Sequence, residues 1–247
     1  MIFKLEKIHS YTAMVTISAE NIENKDYKNI FWNFEDIINN IAEDQSIRSC
    51  ILISEIQGFY ESEVSLKHHN FAINNSLTGL LSKLKIPIIG CAYDSAYNIG
   101  FEILLACDIR MSNVGSIFSM NQIQSGYIPF EGGTQRLPRI IGTGRALDLV
   151  LTGRALNTVE AYDYGVIQYV SENQLKTDAL GIADKINSVA PIASKFVKES
   201  ILNGIDMTLT QGMSLEADLS FILQSTEDRA EGLDSFHHKR APDFRGI

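Results

Sequence analysis

The chain has 247 residues, 45% of them hydrophobic and 21% charged, ordinary proportions for a globular protein with a substantial core. A formal net charge of −9 argues against nucleic acid as a bulk partner, since phosphate binding needs a basic face, but leaves room for a small phosphorylated carrier met by a few local cations. No apolar run reaches the roughly 18 uncharged residues of a membrane span, so no membrane partner is expected.

Ile2 to Ile8 and Ala13 to Ala19 alternate like two strands joined by a turn around His9–Tyr11. The opening MIFKLEKIHS lacks the long apolar segment of a signal peptide. NIENKDYKN breaks the pattern. From Tyr27 to Ala42, apolar residues recur at Ile30, Phe31, Phe34, Ile37, Ile38 and Ile41, which is helical spacing with one buried face. Trp32 and Asn33 fall off that stripe. Cys50 to Ile53 is the next buried strand. Cys50, Cys91 and Cys107 all lie inside apolar runs without CxxC spacing, which reads as buried, reduced thiols in a cytoplasmic protein.

Gly58 to Asn75 is an acidic and polar stretch containing Lys67-His68-His69-Asn70, and the segment from Phe71 to Leu84 continues as an amphipathic helix. Adjacent histidines on a helix point about 100° apart, so neither His68-His69 nor His237-His238 is expected to hold a metal ion. Ile86 to Ala92 is β-branched and apolar, a fully buried strand. Small and polar residues lead to Gly100, an apolar helical segment runs from Phe101 to Ala106, and strands follow at Asp108 to Ser112 and Ser116 to Met120. A strand that turns directly into a helix leaves unpaired N–H groups above the turn, a place for a developing negative charge. A Gly/Pro loop then closes on GGTQRLPR. Arg136 to Leu151 reads as a helix interrupted by Gly-Thr-Gly, Thr158 to Tyr164 as a helix, and Val166 to Val170 as a last strand. From Asn173 the pattern is helical, punctuated by Pro191 and Gly204.

The ordered run KIPIIG, GFEILLACDIRMS, GYIP, GGTQRLPR, LTGRAL and EAYDYGVIQYV, resumed in EGLDSFHHKRAPDFRG, resembles the enoyl-CoA hydratase/isomerase (crotonase) family. The resemblance covers most of the chain after Lys85. It implies an α/β fold, a spiral of repeated ββα units over residues 1–190, with a helical region over 191–247 that builds a homotrimer or a hexamer. It implies a thioester substrate carried by CoA or by the phosphopantetheine of an acyl-carrier protein, with no prosthetic group and no metal. By the same resemblance, the backbone N–H groups of Glu63 and Ile99 form an oxyanion hole. Glu102 and Gln122 stand where hydratases of the family place two catalytic glutamates. Glu131 lies one position from a further acidic site of some relatives; it reads either as a third catalytic candidate or as a solvent-facing loop carboxylate. Asn24, Lys239 and Arg240 match positions near the carrier phosphates, with Lys195 and Lys198 as further local cations.

Three departures shape the expected reaction. Glu23 replaces the usual basic residue before Asn24. Phe59-Tyr60-Glu61-Ser62-Glu63-Val64 replaces an Ala-Gly-Ala-Asp-like turn, and Asn98-Ile99-Gly100 replaces a glycine triplet. Gln122 keeps a hydrogen-bonding tip but transfers no proton at neutral pH. One glutamate suffices for a 1,3-proton shift, which points to an isomerase or lyase in preference to a hydratase; a catalytically silent thioester-binding or assembly subunit accounts for the same departures. Without a second carboxylate beside it, Glu102 is expected to be more fully ionised, a good base and a poor acid.

Overall fold

β1 (Ile2–Ile8) and β2 (Thr12–Ser18) pair antiparallel from Ile2 opposite Ser18 to Ile8 opposite Thr12, in a computed structural model that describes residues 2–18, 27–54 and 76–247. The turn between them passes His9 and Ser10 through left-handed backbone. Four strands then add to β2 in parallel: β3 (Ser49–Ser54), β4 (Ile88–Ala92), β6 (Ile109–Asn113) and β9 (Tyr169–Ser171), in the order β1-β2-β3-β4-β6-β9. The register runs Ala13 to Cys50, Cys50 to Ile88, Ile89 to Ile109 and Met111 to Tyr169.

Parallel strands need cover on both faces, and the continuous apolar runs supply it. Cys50 and Leu52 look toward α1 (Tyr27–Glu43), whose buried stripe is Ile30, Phe31, Phe34, Ile37, Ile38 and Ile41 as the spacing predicts, joined by Tyr27 at its start. Ile51 and Ile53 look the other way, with Met14, Ile89, Cys91 and Met111, onto α7 (Leu175–Asn187). Ala179 and Ala183 line that side of α7, and so small a surface lets the helix lie close to the sheet.

A second, three-stranded sheet carries the turns that matter for function. β5 (Ser95–Tyr97) pairs parallel with β7 (Ile117–Ser119), which pairs antiparallel with β8 (Leu156–Asn157). Each ββα unit thus places a long strand in the large sheet and a short one in the small sheet before its helix: β4, β5 and α3 (Ile99–Leu105), then β6, β7 and α4 (Gly133–Ile141). Gly142, at φ 84°, separates α4 from α5 (Thr143–Thr152), the break expected from Gly-Thr-Gly. α6 (Thr158–Asp163) begins on a capping box between Asn157 and Glu160. α8 (Pro191–Gly204), α9 (Leu209–Leu223) and α10 (Glu227–His237) complete the helical tail, with α8 packed on α9.

Several boundaries differ from the sequence expectation. The strand expected from Ile86 begins at Ile88, because Pro87 has no N–H to give the ladder. The strand expected at Val166–Val170 is Tyr169–Ser171: Val166 and Ile167 are buried, but their N–H groups both close on Ala161 O at the end of α6. Of the helix expected over 71–84, residues 71–75 lie outside the described residues; α2 is Leu77–Leu81, capped by Ser76 Oγ on Gly79 N. β5 and β8 were not expected at all; two or three residues carry no readable period. All three cysteines are buried and unpaired.

Candidate active site

The site forms where the chain turns from β5 into α3 and where α4 begins. Asn98 makes the first turn at φ 49° and ψ −119°, backbone that side chains other than glycine seldom adopt. It is held from both ends: its N–H donates to Ser119 O at 2.9 Å, and its Oδ1 accepts from Asn121 N at 2.9 Å. Asn98 therefore holds the turn itself and adds a side-chain tie to the segment that follows β7. The first intrahelical bond of α3 is Glu102 N to Asn98 O, 3.0 Å. The N–H of Ile99 precedes it, in the first turn, where helical N–H groups have no intrahelical acceptor.

Glu102 is fully buried in that same turn. Its Oε2 accepts from Glu131 N at 2.7 Å and from Gly133 N at 2.8 Å; its Oε1 accepts from Gln122 Nε2 at 2.9 Å. Burial pushes its pKa up from 4.5 to about 7. The Gly133 N–H opposes the rise, the charge of Glu131 adds to it, and the N–H groups of Glu131 and Phe130 oppose it. This corrects the expectation that Glu102, lacking a carboxylate at position 122, would be the more fully ionised. Desolvation dominates, and a second negative charge is present after all, at position 131.

The glycine pair in GGTQRLPR is what lets Glu102 sit there. Gly132, the N-cap of α4, has φ 96°, and a Cβ on it would fall 2.2 Å from Arg136 Nη1. At Gly133 a Cβ would fall 2.8 Å from Met120 Cε and 2.9 Å from Glu102 Cγ. Only a bare backbone brings the start of α4 within hydrogen-bond reach of the carboxylate.

Glu131 is not a solvent-facing loop residue; it is 1% exposed. Its carboxylate accepts from Tyr27 OH, from Leu77 N at 3.1 Å and from Thr78 N at 2.9 Å. Its carbonyl accepts from Thr78 Oγ1 at 2.6 Å and Arg136 Nη1 at 2.9 Å. The structure brings Glu131 to Glu102 through its N–H, with the carboxylate engaged on α1 and α2 instead. Sequence reasoning missed Tyr27 in this role, since it sits on the apolar stripe of α1 and reads as core. Gln122 opens a turn of 3₁₀ helix over Gln122–Ser125, and its Oε1 is buried with no hydrogen-bond partner among the described residues.

The remaining expected residues do not gather at this place. Glu63, Asn24 and His68-His69 lie outside the described residues. Arg240 is not a free cation: its guanidinium meets Glu231 Oε2 and Asp234 Oδ2, both at 2.7 Å, because the chain doubles back past α10 after His238 and lays Arg240 along its acidic face. Lys198 is likewise committed, to Asp108 Oδ2 at 2.7 Å and Ile86 O at 2.8 Å, with 11% of its side chain exposed. Lys195 and Lys239 make no ion pair among the described residues. His238 faces Asp234, and among the described residues no three ligating side chains cluster as a metal site would need. No helix among them is long and apolar enough to cross a membrane.

A buried carboxyl group seated on backbone N–H groups thus stands beside a strand-to-helix turn that presents further N–H groups, an arrangement chemically able to hold a proton next to a developing negative charge. Comparison with known proteins gives the family. The family model described as enoyl-CoA hydratase/isomerase matches residues 13–246. The Bacillus subtilis protein YngF is 30% identical over 97% of this chain and 96% of its own length. The 2,3-dehydroadipyl-CoA hydratase of Escherichia coli is 30% identical over 83% of this chain and 84% of its own. The crystal structure of an enoyl-CoA hydratase from Bacillus anthracis superposes with a TM-score of 0.90 at 28% identity, each chain covered in full. The chain belongs to the enoyl-CoA hydratase/isomerase family and has its crotonase fold, on which CoA thioesters are processed without a prosthetic group.

Proposed function

We propose that the protein moves a proton within an enoyl thioester, as an isomerase or lyase of the family and not as a standard hydratase. One observation carries this: the buried Glu102 has its pKa pushed up to about 7 and faces an amide, Gln122, in place of a second carboxylate. A carboxyl poised near neutrality takes a proton and returns it with nearly equal ease. In a 1,3-shift Glu102 removes the proton next to the thioester carbonyl, the charge moves to the carbonyl oxygen, and the same group returns the proton to the far end of the allylic system. The N–H groups of Ile99 and Glu63 are assigned to that oxygen; one such donor is typically worth about 2.7–4 kcal/mol. Hydration would need a second proton-transferring group where Gln122 stands.

The carrier is CoA or a protein-bound phosphopantetheine, with Lys239, placed by a neighbouring subunit, as the cation for its phosphates; Lys239→Ala should weaken CoA binding and flatten its salt dependence, and unchanged affinity would remove it from the site. Residues 191–247 are read as the trimer-forming region on the core of residues 1–190. Val197 and Ile201 on α8, Ile205 just after it, and Leu209, Met213 and Phe221 on α9 are exposed, an apolar surface that a second copy would cover. A monomeric mass by light scattering at micromolar concentration would refute this. Three buried, unpaired cysteines suit a reducing compartment such as the cytoplasm.

The test is exchange of the α-proton of acyl-CoA with deuterated water. Glu102→Gln should abolish exchange and leave ligand affinity within a few-fold. Gln122→Glu should gain hydration of crotonyl-CoA that the natural protein lacks, and robust hydration by the natural protein would overturn the reading. A silent thioester-binding subunit is the second reading, favoured by the fact that both oxygens of Glu102 are already hydrogen-bonded within the chain. Tight binding without exchange would select it.

A further inference from the structure

Glu131 is an unusual residue to find in a loop: a fully buried carboxylate with every polar group in use. Burying an acid is costly unless each oxygen finds donors, and here the donors come from two helices distant in sequence. Tyr27 OH and the Leu77 and Thr78 N–H groups hold the carboxylate; Thr78 Oγ1 and Arg136 Nη1 hold the carbonyl. What remains is the N–H, and it points at Glu102 Oε2 at 2.7 Å. The peptide that seats the proton carrier is therefore fixed from behind by α1, α2 and α4 together. We infer that Glu131 is a positioning residue for Glu102, anchoring the peptide that seats it and supplying from behind the second negative charge that Gln122 does not carry. This rests on the reading of Glu102 as the proton carrier.

Among the described residues, the charged and titratable groups that face the pair are few. Tyr27 faces Glu131 from α1. Arg136 faces it from α4, and both carboxylates act on that guanidinium. Gln122 faces Glu102 from the 3₁₀ turn with an uncharged amide. From α2 only Thr78 and backbone approach. The charge of Glu131 is the side-chain influence that raises the pKa of Glu102; burial is larger, and the backbone N–H groups act the other way. Two buried carboxylates thus share this site without sharing partners, Glu102 turned toward Gln122 and Glu131 held behind it on α1 and α2.

The experiment follows the titration of Glu102 by carbon-detected NMR of protein labelled at the glutamate carboxyl carbon, with Glu102→Gln identifying the signal. In Glu131→Gln the charge is gone, and the midpoint of Glu102 should fall by something on the order of one pH unit, the size of effect a single nearby like charge makes. In Tyr27→Phe a hydrogen bond is lost but the charge stays, so the midpoint should hold. Glu131→Asp keeps the charge and shortens the anchor: kcat for α-proton exchange should fall at least about tenfold with KM little changed. An unchanged midpoint in Glu131→Gln overturns the inference, as does an equal fall in Tyr27→Phe, which would assign the effect to loosened packing. Should Glu131→Gln not fold, an unchanged kcat in Glu131→Asp overturns it instead. The midpoint is read without turnover. A protein that shows the expected shift but no exchange would sink the proposed reaction and leave the role of Glu131 intact.

Discussion

Replacing Glu102 by glutamine should make the protein progressively more stable, relative to the natural protein, as pH rises from 4.5 to above 7. The folded state raises the Glu102 pKa from 4.5 to about 7, through burial first. Between those values the folded protein holds a proton that the unfolded chain has released, so stability falls as pH rises through this window. At about 1.36 kcal/mol per pH unit the loss approaches 3 kcal/mol by pH 7.5, and below pH 4.5 it is absent. Glutamine has no such slope. The site can also accept it: the amide oxygen can keep the Glu131 and Gly133 N–H groups, while its NH2 faces Gln122, whose unpartnered Oε1 needs only an amide flip to receive it. Urea unfolding of both proteins at several pH values from 4.5 to 8, followed by circular dichroism at fixed concentration, reads this group together with its coupling to Glu131, because titrating groups that Glu102 does not influence cancel in the difference. The difference should move in favour of Glu102→Gln by about 3 kcal/mol as pH rises. A difference that stays flat would mean that Glu102 titrates like an exposed glutamate; one that moves the other way would mean that the N–H seat outweighs burial.

Gly133→Ala forces a Cβ to within 2.9 Å of Glu102 Cγ and 2.8 Å of Met120. The methionine tip can yield, so the stability cost should stay near 1–3 kcal/mol, while displacement of Glu102 lowers α-proton exchange by about 10–100-fold; full exchange activity would refute the seat described here. Lys198→Ala leaves the partly buried Asp108, 18% exposed at its side chain, with the Ile88 N–H as its hydrogen-bond donor among the described residues and the Arg110 guanidinium as a nearby charge, which should cost about 1.5–3 kcal/mol in urea unfolding. A loss under about 1 kcal/mol would show the pair to behave like a surface ion pair.

The sequence by itself determined the elements that have a period long enough to read, and the family. Six of the seven residues in the buried stripe of α1, all but Tyr27, and the buried strands β3, β4 and β6 follow from spacing and β-branching alone. The motif order after Lys85 sufficed for the resemblance, and the family match extends it back to residue 13. The juxtaposition of Glu102 with Gln122 was also legible, because each sits in a motif whose place in the fold is fixed. Only the tertiary structure decided the state of the site. Whether Glu131 is exposed or buried depends on α2 and Tyr27, which are 53 and 104 residues away in the chain. Whether Arg240 is free depends on how the tail doubles back onto Glu231 and Asp234. The pKa of Glu102 depends on water excluded by every neighbouring element, a quantity that no local pattern encodes. Spacing records what the backbone repeats; desolvation and long-range pairing exist only once the chain has closed around the group.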